Sequence, residues 1–467
     1  MKQLLRRRTL SHDDFKNSGL KRCLSAFDLT MLGIGAIIGT GIFVLTGIAA
    51  ATQSGPAVIL SFIIAGVACA FAALSYAELA GSLGGCGSAY GYSYSAFGEL
   101  IAWIIGWNLL LEYGMSVAAV ANGWSGYFLN ALTALGIDLP PDFTSPKDGI
   151  VNLPAVIVIL GLMTLLIIGA KESARLNTVM VAIKLATIVV FLFAAFSHVD
   201  PVHWSPFMPF GWFERTADGH TVGVLAGAAL VFFAYIGFDA VTTAAEEAHD
   251  PQRDLPIGIL GSLGICTVFY ILVAAVLTGV ISYKELNVSS PVAHALLQIG
   301  HRWASAVVAT GVIAGLLTVM LVLYYGLTRI IFAMARDGLL PPVFGRVHAR
   351  TQTPVPTIVF TGVVCAFFAG FVPLGALAEL VNIGTLFAFV MVCGGVLVLR
   401  YTEPDLHRPF RTPWHPVIPV AGVLSCGALM MFLPRVTWER FGVWLGLGVL
   451  FYFVYSYRHS ALATDTQ

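Results

Sequence analysis

The chain has 467 residues, of which 58% are hydrophobic and 11% are charged. Soluble domains carry about 25% charged residues, so this composition, with a mean hydropathy of +0.85, excludes a soluble globular protein. It predicts an all-α integral membrane protein that crosses the bilayer several times. The net charge of zero gives no reason to expect a nucleic-acid partner.

Cysteine usage and the N-terminal segment narrow the possibilities further. The seven cysteines are scattered and form no CxxC pair, which argues against a disulfide framework and a zinc site. We therefore expect neither a metal nor a cofactor. Arg6-Arg7-Arg8 is followed by polar sequence as far as Lys21-Arg22, which differs from a cleavable signal peptide. The first span is expected to act as its own insertion signal.

Apolar segments long enough to cross a bilayer, or nearly so, recur along the whole chain. They are 27–51, 56–80, 97–130, 151–170, 176–197, 221–245, 256–281, 304–333, 355–372, 374–399, 414–433 and 440–457. Twelve is an even number, so both termini are expected on the same side. Seventeen of the 25 lysines and arginines fall on that side and six on the other, which predicts cytoplasmic termini and a plasma (inner) membrane location.

Four glycines and a threonine interrupt the first segment near its centre, in the run Gly33-Ile-Gly-Ala-Ile-Ile-Gly-Thr-Gly-Ile-Phe43. Glycine costs a helix about 1 kcal/mol relative to alanine, so we expect the span to unwind here. Unwound backbone at this depth must line a cavity or be buried in protein. Its free amides and carbonyls suit the carboxylate and ammonium of an amino acid. However, Gly35 and Gly39 also form a GxxxG pattern, and from this stretch alone close helix packing is the commoner explanation.

The sixth segment has a weaker interruption, Gly237, which is flanked by aromatic residues and followed by Asp239. The first and sixth segments each begin a five-span half, and paired interruptions in corresponding halves indicate a transporter binding site. Because five is odd, the two halves enter from opposite sides, which predicts a 5+5 inverted-repeat fold with about twelve transmembrane helices. The expected parts are a cytoplasmic segment 1–26, a first repeat 27–205, a second repeat 206–400, and the last two helices with the C-terminus in 401–467.

Ionisable residues inside the apolar segments are costly, so each is a functional candidate. Glu112 lies in the third segment and Lys184 in the fifth. A lysine in a dry interior can act as a reversible proton carrier, but it can equally be a permanently charged strut bonded to carbonyls of the first span. Glu112 is either a proton site or a structural hydrogen-bonding carboxyl. Asp239 lies nearer the cytoplasmic end of its segment, where we expect water to reach it, and Arg329 is placed to snorkel.

Four stretches and two shorter motifs belong together. They are the run Gly33–Phe43, Phe232-Phe-Ala-Tyr-Ile-Gly-Phe-Asp239, Glu246-Glu247 with Asp250-Pro-Gln-Arg-Asp-Leu-Pro256, Thr328-Arg329 with Ala335-Arg-Asp-Gly-Leu-Leu-Pro341, Leu111-Glu-Tyr113, and Gly123-Trp-Ser-Gly-Tyr127. As a set they resemble the amino acid–polyamine–organocation (APC) superfamily from about Leu20 to the twelfth segment. The two shorter motifs are most similar to the cationic amino acid transporter branch. Twelve spans, rather than the fourteen usual in its eukaryotic members, point to the bacterial type.

The resemblance implies alternating access and a set of site residues. In this scheme the substrate carboxylate meets backbone amides and its ammonium meets backbone carbonyls, with Phe233 as an aromatic gate. Lys184 matches a fifth-helix lysine that replaces sodium in proton-coupled relatives, and Glu112 matches a third-helix glutamate near the pocket. The implied binding residues are Gly39, Thr40 and Gly41 for the carboxylate, Ile37, Ile38, Phe233, Ala234 and Ile236 for the ammonium, and Val319, Met320 and Leu323 for the substrate side chain.

We therefore expect a permease that imports L-amino acids by proton symport, with an amino acid or polyamine antiporter and a sodium symporter as alternatives. A membrane enzyme is disfavoured because the chain has no HExxH or GxSxG motif and no convincing nucleophile and base at matched depth. A channel fits poorly, because channels favour symmetric assemblies. The lack of excess carboxylates fits small neutral substrates such as alanine, whereas Glu112 and the branch resemblance leave arginine, lysine or ornithine open. The expected partners are the substrate, protons and the bilayer, and a small membrane subunit stays an open question.

Overall fold

The computed structural model describes residues 24–83, 89–146, 149–169, 174–216, 221–349 and 351–461. Most of the N-terminal segment 1–26 therefore lies outside the described residues, with its basic cluster Arg6-Arg7-Arg8. The side chain of Glu246, which belongs to one of the family motifs, is also outside them.

The described chain is almost entirely helical, as predicted. Its α-helices are α1 Ala26–Ile37, α2 Thr46–Ala49, α3 Val58–Ser82, α4 Ala89–Ala96, α5 Glu99–Ala134, α6 Leu153–Ile168, α7 Ala174–Phe196, α8 Val224–Val231, α9 Pro251–Val280, α10 Pro291–Gln298, α11 Arg302–Arg336, α12 Val355–Phe371, α13 Leu374–Thr402, α14 Val417–Met431, α15 Arg435–Phe451 and α16 Tyr457–His459. Two short strands, β1 Glu214–Arg215 and β2 Thr221–Val222, pair antiparallel before α8.

Short stretches of tighter or wider helix extend several of these elements. The π-helical segments Gly41–Leu45 and Ala50–Ser54 flank α2, and the 3₁₀ segments Phe232–Tyr235 and Asp239–Glu247 follow α8. The start of α1 is set by a capping box, in which the Ser25 hydroxyl accepts from the Asp28 amide and the Asp28 carboxylate accepts from the Ser25 amide. Every predicted apolar segment coincides with one of the helices or with a helix extended in this way.

The structure supports a multi-pass membrane protein. Within the described ranges, seven helical stretches are long and apolar enough to cross a membrane, and an eighth is added if α14 and α15, which turn by 114° at the break between them, count as one span. The helices α1, α6 and α12 are apolar but shorter. By length and composition, the described residues thus contain seven or eight candidate membrane spans, and the full number of twelve stays a prediction.

The helices pack in a regular pattern of neighbours. The long helix α5 packs along α11, α3 along α9, and α6 along α12. In addition, α1 packs against α9 and α8 against α3, while α7 packs against α11 and α13 against α5. The two interrupted helices therefore lie beside the α3–α9 pair, α1 against α9 and α8 against α3, and their interruptions meet there.

Candidate functional site

The first interruption separates α1 from the π-helical turn before α2. Helix α1 ends at Ile37, and Ile38 is extended, with φ −72° and ψ 101°. Helical geometry resumes at Thr40 and Gly41. The amides of Gly39, Thr40 and Gly41 therefore fall at a helix start, where amides have no partner within their own helix. The predicted break in the first span is confirmed.

The second interruption follows α8 and lies at the predicted glycine. Ile236 is extended, with ψ 136°, and Gly237 has a φ of +119°. Residues with a Cβ atom rarely adopt a φ in this range, whereas glycine adopts it without steric cost. The chain then continues as the 3₁₀ segment Asp239–Glu247. The weaker sequence signal thus marks a complete break.

The two breaks touch each other through backbone. A Cβ atom on Gly41 would lie 2.3 Å from the Cα of Ala234, and one on Gly237 would lie 2.8 Å from the carbonyl carbon of Ala36. Both distances are too short for any side chain, so these two glycines allow the close approach. The close-packing interpretation of the GxxxG pair holds at Gly35, where a Cβ would lie 2.9 Å from Val181, but not at Gly39, where the nearest side chain lies at 3.6 Å. The glycine run therefore contains both a close contact and a helix break.

Tyr270 of α9 joins the two breaks and was missed in the sequence analysis. Its hydroxyl lies 2.9 Å from the carbonyl oxygen of Ile37 and 2.8 Å from that of Ala234. One hydroxyl proton serves only one carbonyl at a time, and each carbonyl oxygen keeps a second lone pair. Both carbonyls can therefore still accept a hydrogen bond from a ligand. A fully buried tyrosine in an apolar helix gives no sequence signal that separates it from a packing residue.

The remaining implied binding residues lie at the same place. Ile38 and Thr40 are fully buried, and Phe233 and Ile236 are nearly so. The Phe233 carbonyl accepts from the Ile236 amide at 3.3 Å. The Thr40 hydroxyl has no hydrogen-bond partner among the described residues, and its side chain packs where Gly123 leaves room. The structure therefore brings both sets of predicted backbone groups, those for the carboxylate and those for the ammonium, to one buried point.

Lys184 reaches the first break from α7. Its side chain is 1% exposed, and its ammonium donates to the carbonyl oxygen of Gly35, in the last turn of α1, at 2.7 Å. A Cβ on Gly315 of α11 would lie 2.9 Å from the Cγ atom of Lys184, so the stem of the lysine fills the space left by that glycine. Lys184 thus connects α1, α7 and α11. This geometry suits the strut and the proton carrier equally.

Asn382 of α13 makes the equivalent contact at the second break. Its Nδ2 atom donates to the carbonyl oxygens of Ala229 at 2.8 Å and Leu230 at 3.1 Å, in the last turn of α8. The sequence analysis did not select it. The available signal was its polarity, since a buried amide in an apolar helix needs hydrogen-bond partners.

The acidic residues form a group near the second break. Asp239 accepts from the Gly237 amide at 3.2 Å and from the Tyr113 hydroxyl at 3.4 Å. Its side chain is only 7% exposed, so the expected solvent access is wrong, because the 3₁₀ segment and α5 cover it. Glu112, the neighbour of Tyr113, is 1% exposed.

The predicted snorkelling of Arg329 agrees with the structure. Its side chain is partly exposed and lies 3.6 Å from the carboxylate of Glu247.

Comparisons of the sequence with known proteins all find permeases and transporters. A family model described as amino acid permease matches residues 24–452. The chain is 48% identical over 451 residues to the methylthioribose transporter of Bacillus subtilis (strain 168), covering 96% of each protein. It is also 48% identical over 450 residues to the branched-chain amino acid permease BcaP of the same organism, covering 95% of each. A vacuolar cationic amino acid transporter 4 of Arabidopsis thaliana is 40% identical over 414 residues, covering 87% of this chain and 68% of that protein.

Proposed function

Because this chain belongs to the amino acid permease family, we propose that it is a secondary active transporter that imports L-amino acids across the plasma membrane, with both termini in the cytoplasm. The family resemblance found in the motifs is confirmed. The family consists of transporters, so the prediction that the chain is not an enzyme is confirmed as well.

The contact between the two breaks is the observation that carries this proposal. The amides of Gly39, Thr40 and Gly41 form a positive pole, and the carbonyls of Ile37 and Ala234 form a negative one. Both poles meet beside the hydroxyl of Tyr270. A zwitterionic α-amino acid matches both poles at once.

The packing pattern supports a 5+5 inverted repeat of about twelve spans. In this scheme the first five spans contain α1, α3, α5, α6 and α7, and the second five contain α8, α9, α11, α12 and α13. Exchanging the two sets in order turns the α1–α9 contact into the α8–α3 contact, and the α7–α11 contact into the α13–α5 contact. The same exchange maps each of the pairs α3–α9, α5–α11 and α6–α12 onto itself. Such a repeat surrounds the two breaks and provides the rocking motion of alternating access.

Lys184 supports proton symport as the coupling mode. Its proton completes a charge-assisted hydrogen bond to Gly35 that helps hold α1 against α7 and α11. Loss of that proton weakens the contact in one access state more than in the other, and the proton gradient then biases the direction of transport. Glu112 is the second proton candidate, because it is a buried carboxyl near the second break.

The substrate side chain is best matched by a small apolar group. Val319, Met320 and Leu323 of α11 are buried, and the methyl groups of Val319 lie 3.6 Å from the position of a Cβ on Gly39. An apolar wall disfavours a charged side chain, which would lose its hydration there. The similarity to a branched-chain amino acid permease agrees with this. We therefore favour valine, leucine and isoleucine over arginine and lysine.

Methylthioribose is a second candidate substrate, because the chain is equally similar to a methylthioribose transporter. A thiosugar has neither a carboxylate nor an ammonium group. It would therefore use hydroxyl hydrogen bonds and leave the two poles of the breaks without their charged partners.

Thermal unfolding of the purified protein with each of the twenty L-amino acids and with methylthioribose separates these candidates. A ligand at about 100 times its Kd adds about 2.7 kcal/mol to the free energy of unfolding. We expect branched-chain amino acids to raise the Tm most. Stabilisation by methylthioribose alone would contradict amino acid transport.

Uptake into proteoliposomes then tests the coupling. We expect an inward proton gradient to drive accumulation, and Lys184→Ala to abolish it. The matched control is Lys284→Ala, because it removes an exposed lysine from the short 3₁₀ turn Tyr283–Glu285 that follows α9. Full gradient-driven accumulation by Lys184→Ala would contradict the role of that lysine, and trans-stimulation without any gradient would identify an antiporter. A requirement for sodium would identify a sodium symporter.

A further inference from the structure

A cavity of about 850 Å³ lies between the ends of α7 and α9 and the start of α11. Its walls are mainly apolar side chains, among them Val189 and Phe196 of α7, Leu272 and Val276 of α9, and Trp303 of α11. Pockets for small molecules measure about 300–1,000 Å³, whereas one water occupies about 30 Å³. Because apolar cavities do not hold water well, the walls and the volume both fit an apolar ligand.

The segment that follows α7 closes one end of this cavity. The Asp200 amide donates to the carbonyl oxygen of Gly279 at 2.9 Å, and Trp204 Nε1 donates to the Thr278 hydroxyl at 3.3 Å. A Cβ on Gly279 would lie 3.0 Å from the Cζ2 atom of Trp204, so the indole lies directly against the end of α9. Trp204, which lines the cavity, is therefore a fixed wall.

The polar residues of the cavity are found at this same end. Ser197 and His198 directly follow α7, and His301 directly precedes α11. The two imidazole rings meet edge to face with their centroids 4.9 Å apart. Val189 precedes Phe196, the last residue of α7, by seven residues, which at about 1.5 Å per residue places it about 10 Å deeper along the helix. The cavity thus has a polar mouth and an apolar interior.

The apolar interior is continuous with the surface that faces the bilayer. Three of its wall residues, Val189, Phe193 and Leu272, are 51%, 84% and 45% exposed. They belong to α7 and α9, and both helices contain stretches long and apolar enough to span a membrane. A molecule can therefore enter from the lipid phase, and the predicted topology places the polar mouth at the outer surface.

We propose that this cavity binds one phospholipid of the outer leaflet, with an acyl chain between α7 and α9 and the headgroup beside His198 and His301. Each methylene group that enters the cavity leaves less apolar surface exposed, and imidazole N–H groups can donate to phosphate oxygens. Lys184 precedes Val189 by five residues on α7. The bound chain therefore also stabilises the packing of the helix that carries this lysine. The lipid site rests on the membrane location of the chain and does not depend on proton symport.

Ala275→Phe is the first test, because Ala275 lines the cavity from α9 and a phenyl ring there occupies the space of the acyl chain. The matched control is Ala428→Phe, which adds the same ring at an exposed position of α14 that does not line the cavity. Native mass spectrometry of protein purified in mild detergent counts the phospholipids that remain bound. We expect the wild type and the control to retain one, and Ala275→Phe to retain at least about tenfold less, because the ring displaces several methylene groups.

Thermal unfolding of the delipidated proteins gives a second measurement. Dioleoyl phosphatidylglycerol should raise the Tm of the wild type and of Ala428→Phe by a few degrees. It should leave that of Ala275→Phe unchanged, because the cavity of this variant is already filled. Stabilisation of the wild type by oleate without any effect of the phospholipid would overturn the proposal and make the ligand a free fatty acid.

Trp303→Ala decides the question even if Ala275→Phe does not fold. Trp303 is 61% exposed, so its removal opens the cavity without disturbing the core, and we expect lipid retention to fall by about three- to tenfold. The control is Trp212→Ala, since Trp212 is 55% exposed and does not line the cavity. Equal retention by Trp303→Ala and Trp212→Ala would overturn the proposal, because the retained lipid would then be unspecific lipid around the protein. A density map of the wild type without elongated density between α7 and α9 would overturn it as well.

Discussion

The two broken helices have similar geometry but different chemistry. In each, a side chain from a distant helix donates to carbonyls in the last turn before the break, where helices lack internal partners. At α1 the donor is the ammonium of Lys184, and at α8 it is the amide of Asn382. Only the ammonium can lose a proton. We therefore infer that the proton controls the position of α1, whereas the contact of α8 is independent of pH.

The largest expected effect comes from filling the space between the breaks. Gly41→Ala would place a methyl group 2.3 Å from the Cα of Ala234, so the two backbones must separate. Overpacking of this kind costs about 1–3 kcal/mol, and we expect the variant to lose all substrate-induced stabilisation and all transport. The Tm with and without substrate, followed by uptake, measures this.

Gly264→Ala is the matched control for that substitution. Gly264 lies within α9, and a Cβ there meets no atom within 4 Å. Alanine is the better helix former by about 1 kcal/mol, so this variant should be as stable as the wild type or more so, with unchanged uptake. Equal behaviour of Gly41→Ala and Gly264→Ala would show that contact between the breaks is unnecessary.

The first break could be predicted from the sequence, and Lys184 could be selected as a candidate, because both depend on local composition. The glycines around Gly39 weaken the helix wherever it lies, and a lysine in an apolar segment is rare enough to select. Tyr270 and Asn382 were missed for the opposite reason. Their role depends on contacts with carbonyls 36 to 233 residues away in the chain, and neither hydropathy nor spacing records such contacts.

The number of crossings and the depth of Asp239 show another limit of sequence reasoning. The apolar segments located the helices well, but α1, α6 and α12 are shorter than a full span. Asp239 looked accessible because it is near the end of its segment, yet Tyr113 and the amide of Gly237 enclose it. Burial depends on neighbouring helices, and a single segment carries no information about them.

Lys184→Gln tests the difference between the two breaks most directly, because it gives the first break a neutral amide donor like that of Asn382 at the second. The glutamine side chain is one bond shorter than that of lysine, so we expect the protein to fold and to exchange substrate at equal pH with a longer hydrogen bond to the carbonyl of Gly35. Gradient-driven accumulation should be lost. Counterflow and accumulation measured in the same proteoliposomes check this, and retained accumulation would mean that the lysine is only a strut.

Asn382→Leu removes the donor at the second break and keeps the approximate size. It leaves carbonyls of Ala229 and Leu230 without their buried partner, at a cost of about 1–3 kcal/mol. Because no proton is involved, we expect exchange and gradient-driven uptake to fall together, by about the same factor. A loss restricted to gradient-driven uptake would contradict the proposed difference between the two breaks.

The smallest expected effect is that of Tyr270→Phe, which acts on both breaks at once. The ring remains packed against Phe62 and Tyr235, so only the hydroxyl that lies between the Ile37 and Ala234 carbonyls is lost. One hydrogen bond contributes about 1 kcal/mol, which corresponds to a shift of a few degrees in Tm or about a fivefold change in substrate affinity. Because the hydroxyl contacts both helices, exchange and accumulation should decline equally. If Tyr270→Phe lost accumulation but kept exchange, we would instead conclude that Tyr270, like Lys184, acts mainly on the position of α1.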